Sequence, residues 1–382
     1  MREFYPGEKR ALRDPLTGRT VWQLTTDASC RSLHLYFTEN SFIKGENAII
    51  IQSDRDTPGV LNLFRMDMDS GDMRRLTHVA APDKLSNPTK NPDGTRLLYW
   101  INRTAVIANT QTGEIQPLYT APDDYTPARI SLSCDGRTAV MLMNENAPVE
   151  HGINYAGFKE KMYRVKRSMM VAVPTDGSQR PRVVLRDTHE AGHLQCSPTD
   201  ADLVMFCHEG PWHLVQQRIY LLRLSTGELW PCFRQSAEDS VGHEFFTQDG
   251  LIFFDNRGPG HDGTITSDLT QAVATEPVET DFIPYVGLAD GSGQVLETYP
   301  MPFYMNHYHA NPDHTLLVGD AVRDLSLIDL TQSPAALTPL CHHGTSWHGQ
   351  ETHCHPTFSW DGKQVLFASD QTGKVQVYCV DI

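Results

Sequence analysis

With 382 residues, 40% of them hydrophobic, the chain is long enough for two domains or for one closed repeat architecture. Its net charge of -15 at pH 7 argues against nucleic acid as a partner, and any anionic ligand would need positive charge gathered in one place, as a metal ion or a few arginines. The opening Met1-Arg2-Glu3-Phe4-Tyr5-Pro6-Gly7 has no signal-peptide character, no apolar run approaches the roughly 18 residues of a membrane span, and eight cysteines without C-x-x-C spacing are expected as reduced thiols of a cytoplasmic protein.

Taken in order, the chain repeats itself. Residues 14–25 read as an outer strand detached from its repeat, with a turn at Thr17-Gly18. A degenerate turn follows at Ile43-Lys44-Gly45. Turns of the x-x-D-G type, each followed by apolar strands and a TG-type turn, then recur at Asn91-Pro92-Asp93-Gly94, Ser133-Cys134-Asp135-Gly136, Ser197-Pro198-Thr199-Asp200, Thr247-Gln248-Asp249-Gly250, Asn311-Pro312-Asp313-His314 and Ser359-Trp360-Asp361-Gly362. The spacing, about 40 to 65 residues, is that of four-stranded propeller blades with two insertions. The last repeat stops at Ile382 without the outer strand that residues 14–25 would supply. The expectation is an all-β, seven-bladed β-propeller, residues 1–382 as one domain, its ring closed by the N-terminal strand in the last blade. Insertions near 144–166 and 258–300 are expected as loops on one rim.

The repeats carry a second pattern. Four residues before successive turns stand His193, His243, His307 and His355, with Asn87 and Arg129 at the same register in earlier blades. The strand entering such a turn is the innermost, so these side chains should ring the central channel and converge. His353 and His355, two apart in an extended strand, would point to one face. With Gln350 they form a neutral N/O donor set able to hold a divalent metal. A non-catalytic TolB-like binding propeller is the alternative, but it would need no converging histidines; a serine-peptidase propeller would need a G-x-S-x-G elbow, which the chain lacks. His208 and His213 flank Glu209-Gly210-Pro211-Trp212, a stretch that could form a loop over the funnel mouth but is expected at the surface without a role, and His342 and His343 are expected as solvated loop residues.

Val241-Gly242-His243-Glu244-Phe245-Phe246, the Gln350-x-x-His353-x-His355-Pro356 run, His307 and Gln217-Arg218-Ile219-Tyr220 together resemble the oligogalacturonate lyases, polysaccharide lyase family 22. The resemblance covers essentially the whole chain and implies a seven-bladed propeller binding Mn2+ through His307, Gln350, His353 and His355. It implies His243 as the catalytic base and Arg218 as a catalytic and substrate contact. His309, on the same face as His307, stays open as the third imidazole. Arg129 is a candidate for a second sugar's carboxylate or for an ion pair with a channel acid, and His193 for the substrate-binding wall, supporting the site through hydrogen bonds. The implied reaction is β-elimination of di- or tri-oligogalacturonates in pectin catabolism, giving 4-deoxy-L-threo-5-hexosulose uronate; a related uronate lyase with a different oligosaccharide is the nearest variant. The residue types suit that chemistry, because a cation held by neutral ligands keeps its charge for a uronate carboxylate and a neutral imidazole can remove the C5 proton.

Overall fold

The computed structural model describes residues 2–149, 157–261, 263, 281–302 and 304–382. They form seven antiparallel sheets arranged as the blades of a propeller. Blade 1 contains Ser32–His34, Ala48–Ser53, Asn62–Asp67 and Met73–Arg75; blade 2 contains Leu85–Lys90, Arg96–Ile101, Thr104–Asn109 and Ile115–Thr120. Blades 3 to 6 repeat the pattern, beginning with the inner strands Tyr125–Leu132, Ala191–Cys196, Val241–Phe246 and Tyr308–Ala310.

Each second strand is packed on both faces, which is why it reads as an unbroken apolar run, as in Ala48-Ile49-Ile50-Ile51, Val204-Met205-Phe206-Cys207 and Val365-Leu366-Phe367-Ala368. The core is accordingly divided into layers between neighbouring blades rather than gathered at one centre. Leu98, Trp100, Met141 and Val171 fill the layer between blades 2 and 3. Ile49, Phe64, Leu366 and Cys379 fill the one between blades 7 and 1.

Blade 7 is composite. Thr357–Phe358, Gln364–Ser369 and Gln376–Asp381 come from the end of the chain, and Thr20–Gln23 pairs antiparallel with Gln376–Asp381, Val21 opposite Val380. The strand expected within residues 14–25 is thus the four residues 20–23. Two strands lie beyond it: Arg10–Arg13 extends blade 7, and Phe4–Tyr5 pairs with Met73–Arg75 of blade 1. All eight cysteines are unpaired thiols. Among the described residues no helix is long and apolar enough to cross a membrane.

The insertions are narrower than expected. Tyr285–Ala289 and Val295–Pro300 are the two outer strands of blade 5, so the extra length there falls between Asn256 and Tyr285, largely outside the described residues. The extra length of blade 3 lies between Glu145 and Ser168 and includes a helix, Phe158–Arg164.

The inner strands share an irregularity that matters for the site. The ladder slips between Ser86 and Thr89, Gly192 and Gln195, and Gly242 and Phe245. At each slip one residue has left-handed backbone: Asn87 at φ 47°, His193 at 45° and His243 at 43°. A bulge of this kind re-aims one side chain, and left-handed backbone is unusual for a residue other than glycine. In blades 2, 4 and 5 the common register seen in the sequence is therefore a repeated bulge that turns one residue toward the axis, whereas His307 stands just ahead of its strand with no such slip.

Candidate active site

The axis is plugged by blade 1, whose chain runs inward after Ser32–His34. Phe37, fully buried, lies 5.6 to 6.3 Å, ring to ring, from His193, His243, His307 and His355. On one side of it lies a cavity of about 770 Å³ whose wall includes Tyr36, Arg129, His193, Arg218, His243 and His353. On the other lies a smaller one of about 130 Å³ reaching Glu39, Lys90 and His309.

Beside the larger cavity, whose wall includes His353 and Gln350, three buried imidazoles meet. One ring nitrogen each of His307, His353 and His355 lies within 4.8 Å of the others, and the Gln350 amide approaches His355 Nε2 at 3.4 Å. His307 is held from behind: its backbone N–H donates to Asp320 Oδ1 at 2.5 Å and its Nδ1 meets Asp320 Oδ2 at 2.8 Å. That leaves Nε2 with the lone pair, buried and without a hydrogen-bond partner. A carboxylate behind an imidazole whose other nitrogen is unmet is the arrangement of a metal-ligating histidine. Burial, then the neighbouring His307, keeps His353 and His355 well below the ordinary histidine range, so both rings are neutral donors. The donor set fits a divalent transition metal, with the amide of Gln350 turned to offer its oxygen.

The convergence of these side chains does not come from a strand. Gln350–Thr352 is a turn of 3-10 helix, His353 is extended at φ -70°, and His355 is left-handed at φ 47° ahead of the short strand Thr357–Phe358. The alternative third ligand, His309, faces away: its Nδ1 accepts the Phe358 N–H at 3.2 Å and its ring stacks 5.4 Å from Phe245, beside the smaller cavity.

His243 stands next to the cluster, 4.5 Å from His307 ring to ring. Its Nδ1 is 3.4 Å from Arg257 Nη2 and 3.9 Å from Asp255 Oδ1. Burial, then the surrounding charges of His307, Arg257, His193 and Arg218, hold it well below the usual histidine range, so the ring is neutral. Trp212 meets it edge to face at 5.0 Å and passes so close to Gly242 that a side chain there would collide with the indole, which accounts for the glycine of Gly242-His243-Glu244.

Arg218 is 2% exposed and sits between Glu209 at 3.5 Å and Glu244 at 3.7 Å. His193 contacts Glu244 through Nδ1 at 2.9 Å, and Tyr36 Oη lies 3.2 Å from its Nε2. Arg129 lies 3.7 Å over the ring of Tyr36 and forms no ion pair among the described residues, so the pairing with a channel acid is not made.

Several residues were not singled out by the sequence. Phe37, Trp212, Arg257 and Asp320 carry no pattern of their own; Glu244 at least follows His243 directly. His208 is buried instead of at the surface, bonded to Asp187 at 2.8 Å with His189 stacked 4.3 Å away, whereas His213 is exposed. His343 is buried rather than solvated, its Nε2 on the Ala321 carbonyl at 2.9 Å, because the loop folds back into the blade; His342 is half-exposed against Asp324.

A family model described as oligogalacturonate lyase matches residues 8–257. The oligogalacturonide lyase of Pectobacterium atrosepticum is 24% identical over 97% of this chain and 95% of its own length. The oligogalacturonate lyase of Dickeya dadantii is 23% identical over the same shares. A solved oligogalacturonate lyase in complex with manganese superposes with a TM-score of 0.83 at 22% identity, covering all of this chain and 97% of the other. That of Vibrio parahaemolyticus gives 0.83 at 20% identity, covering 100% and 98%.

Proposed function

Because the chain belongs to the oligogalacturonate lyase family, we propose that its larger cavity cleaves di- or trimeric oligogalacturonates by β-elimination, a step of pectin catabolism, with His243 as the base. The observation that carries this reading is the meeting of three buried imidazoles beside Gln350, with a neutral His243 4.5 Å from His307 and with His353, Gln350 and His243 all reaching one cavity.

His307, His353, His355 and Gln350 would hold Mn2+, the metal in the solved relative, which would supply Lewis-acid stabilisation of the charge on the uronate carboxylate. His243 takes the C5 proton, the C4–oxygen bond breaks, and the departing sugar oxygen takes a proton from water. The unsaturated product rearranges to 4-deoxy-L-threo-5-hexosulose uronate. Arg218, fixed between two carboxylates, presents its guanidinium to the same sugar, and Glu209 and Glu244 keep it from swinging away. Arg129, braced on Tyr36 and without an ion pair among the described residues, is placed for the carboxylate of the next sugar. His193 supports this wall through Glu244 and Tyr36. We read residues 1–382 as a single domain and the cytoplasm as its compartment.

The test is direct. Purified protein with digalacturonate and Mn2+ should release galacturonate and the 5-keto uronate, read by mass spectrometry, and chelation should abolish both. His243→Ala should keep its metal and bind substrate while kcat falls about 10² to 10⁴-fold. A variant that turns over normally would move the base elsewhere; one that has lost its metal would make His243 a ligand.

A further inference from the structure

The inference follows from the tautomer of His243 and rests on the reading of that residue as the base. His243 meets two buried side chains through the same nitrogen, Nδ1, with Arg257 Nη2 at 3.4 Å and Asp255 Oδ1 at 3.9 Å. An arginine can only donate, so the contact with Arg257 makes Nδ1 an acceptor. The one proton of a neutral imidazole then sits on Nε2. In that tautomer the nitrogen turned away from the buried pair is an N–H donor and cannot accept a proton from C5.

Asp255 offers the opposite arrangement. It is 1% exposed, and its Oδ2 is fixed by Arg257 Nε at 2.9 Å. Its Oδ1 is buried with no hydrogen-bond partner, a costly condition for a carboxylate oxygen that a nearby donor would relieve. Nδ1–H of His243 is such a donor, about 1 Å beyond ordinary hydrogen-bond reach. We propose that Asp255 is a positioning residue of the reaction, taking the Nδ1–H of His243 on Oδ1 so that Nε2 presents its lone pair to the substrate.

Arg257 has the complementary task. Its Nη2 donates to the carbonyls of Met305 at 2.8 Å and Asn306 at 3.1 Å, while Nε holds the carboxylate at its other oxygen. It stays anchored when His243 turns to Asp255. When Nε2 takes the C5 proton the ring becomes an imidazolium whose Nδ1–H is still on Asp255; the proton leaves from Nε2, and Asp255 is never protonated.

The experiment has two arms. Asp255→Asn substitutes an amide that can donate to Nδ1 and so favours the idle tautomer. The expected result is a kcat lower by about 10² to 10⁴-fold with KM changed less than about threefold and metal content unchanged by elemental analysis. Asp255→Glu, which keeps the acceptor, should recover part of the loss. In the wild-type holoenzyme, neutron diffraction from deuterated crystals should place a deuteron on Nδ1, and this arm needs no variant to fold. A deuteron on Nε2 with Nδ1 bare, or wild-type kcat in Asp255→Asn, overturns the proposal. An inactive His243→Ala beside a fully active Asp255→Asn removes only the role of Asp255, whereas an active His243→Ala removes the base assignment and this inference with it.

Discussion

At the scale of single residues, the site is set by what stands behind each imidazole. Asp320 fixes the tautomer and direction of His307, and a carboxylate in that place raises the basicity of a ligand. Asp320→Asn should weaken metal binding about 10 to 100-fold, and His353→Ala or His355→Ala should lose metal and activity together. Full occupancy in these variants, by elemental analysis, would show that the ligands lie elsewhere. Burial acts on a second residue across the plug. Glu39, with the Thr89 hydroxyl donating to it, has its carboxyl pushed up by burial to about 7. Since the folded protein then holds that proton more tightly than the unfolded chain, this contribution to stability is full below about pH 4.5 and is lost as pH rises through about 7. Lys90, drawn down to about 7 by burial, works in the other direction only above that pH, where stability is regained. Glu39→Gln should therefore flatten the fall in Tm between about pH 4.5 and 7. Parallel Tm profiles for the two proteins would rule this out.

At the scale of elements, the repeated inner-strand bulge explains how much of the site was legible. A residue at one register, blade after blade, is visible in a sequence because the repeat fixes its position; that is how His193, His243 and His355 could be grouped with Asn87. What the pattern does not carry is the conformation at the bulge. His353 and His355 were paired on strand alternation, whereas a left-handed backbone at His355 brings the rings together. Blade 1 was illegible for a related cause: its turn is degenerate, and its chain leaves the blade to plug the axis, a tertiary arrangement with no local signature. Phe37 therefore went unmarked although it touches all four channel histidines. Phe37→Ala should join the two cavities and destabilise the fold by about 3 to 5 kcal/mol, read as a shift in denaturant midpoint. An unchanged midpoint would mean that the plug is not part of the core.

At the scale of the whole molecule, the period of the turns made the propeller legible, because seven similar units can bury their faces only against one another. The layer between blades 7 and 1 is the one the chain must assemble from its two ends, and its residues show what depends on it. Tyr5, Val21 and Leu24 are each no more than 5% exposed, and Thr20–Gln23 covers the edge of Gln376–Asp381. The same N-terminal segment partners buried charge: Arg55, with a side chain 7% exposed, pairs with Glu8 at 2.5 Å, and Arg75, fully buried, donates to Tyr5 Oη at 3.0 Å. Removing residues 2–25 would bare a strand edge, uncover apolar surface and leave two arginines short of partners, three losses that act in the same direction. The truncated chain should melt lower and associate through the exposed edge, measured by thermal melting and by light scattering behind size exclusion. A truncation with the full-length protein's Tm and unchanged association state would show that the last blade holds without its N-terminal strands.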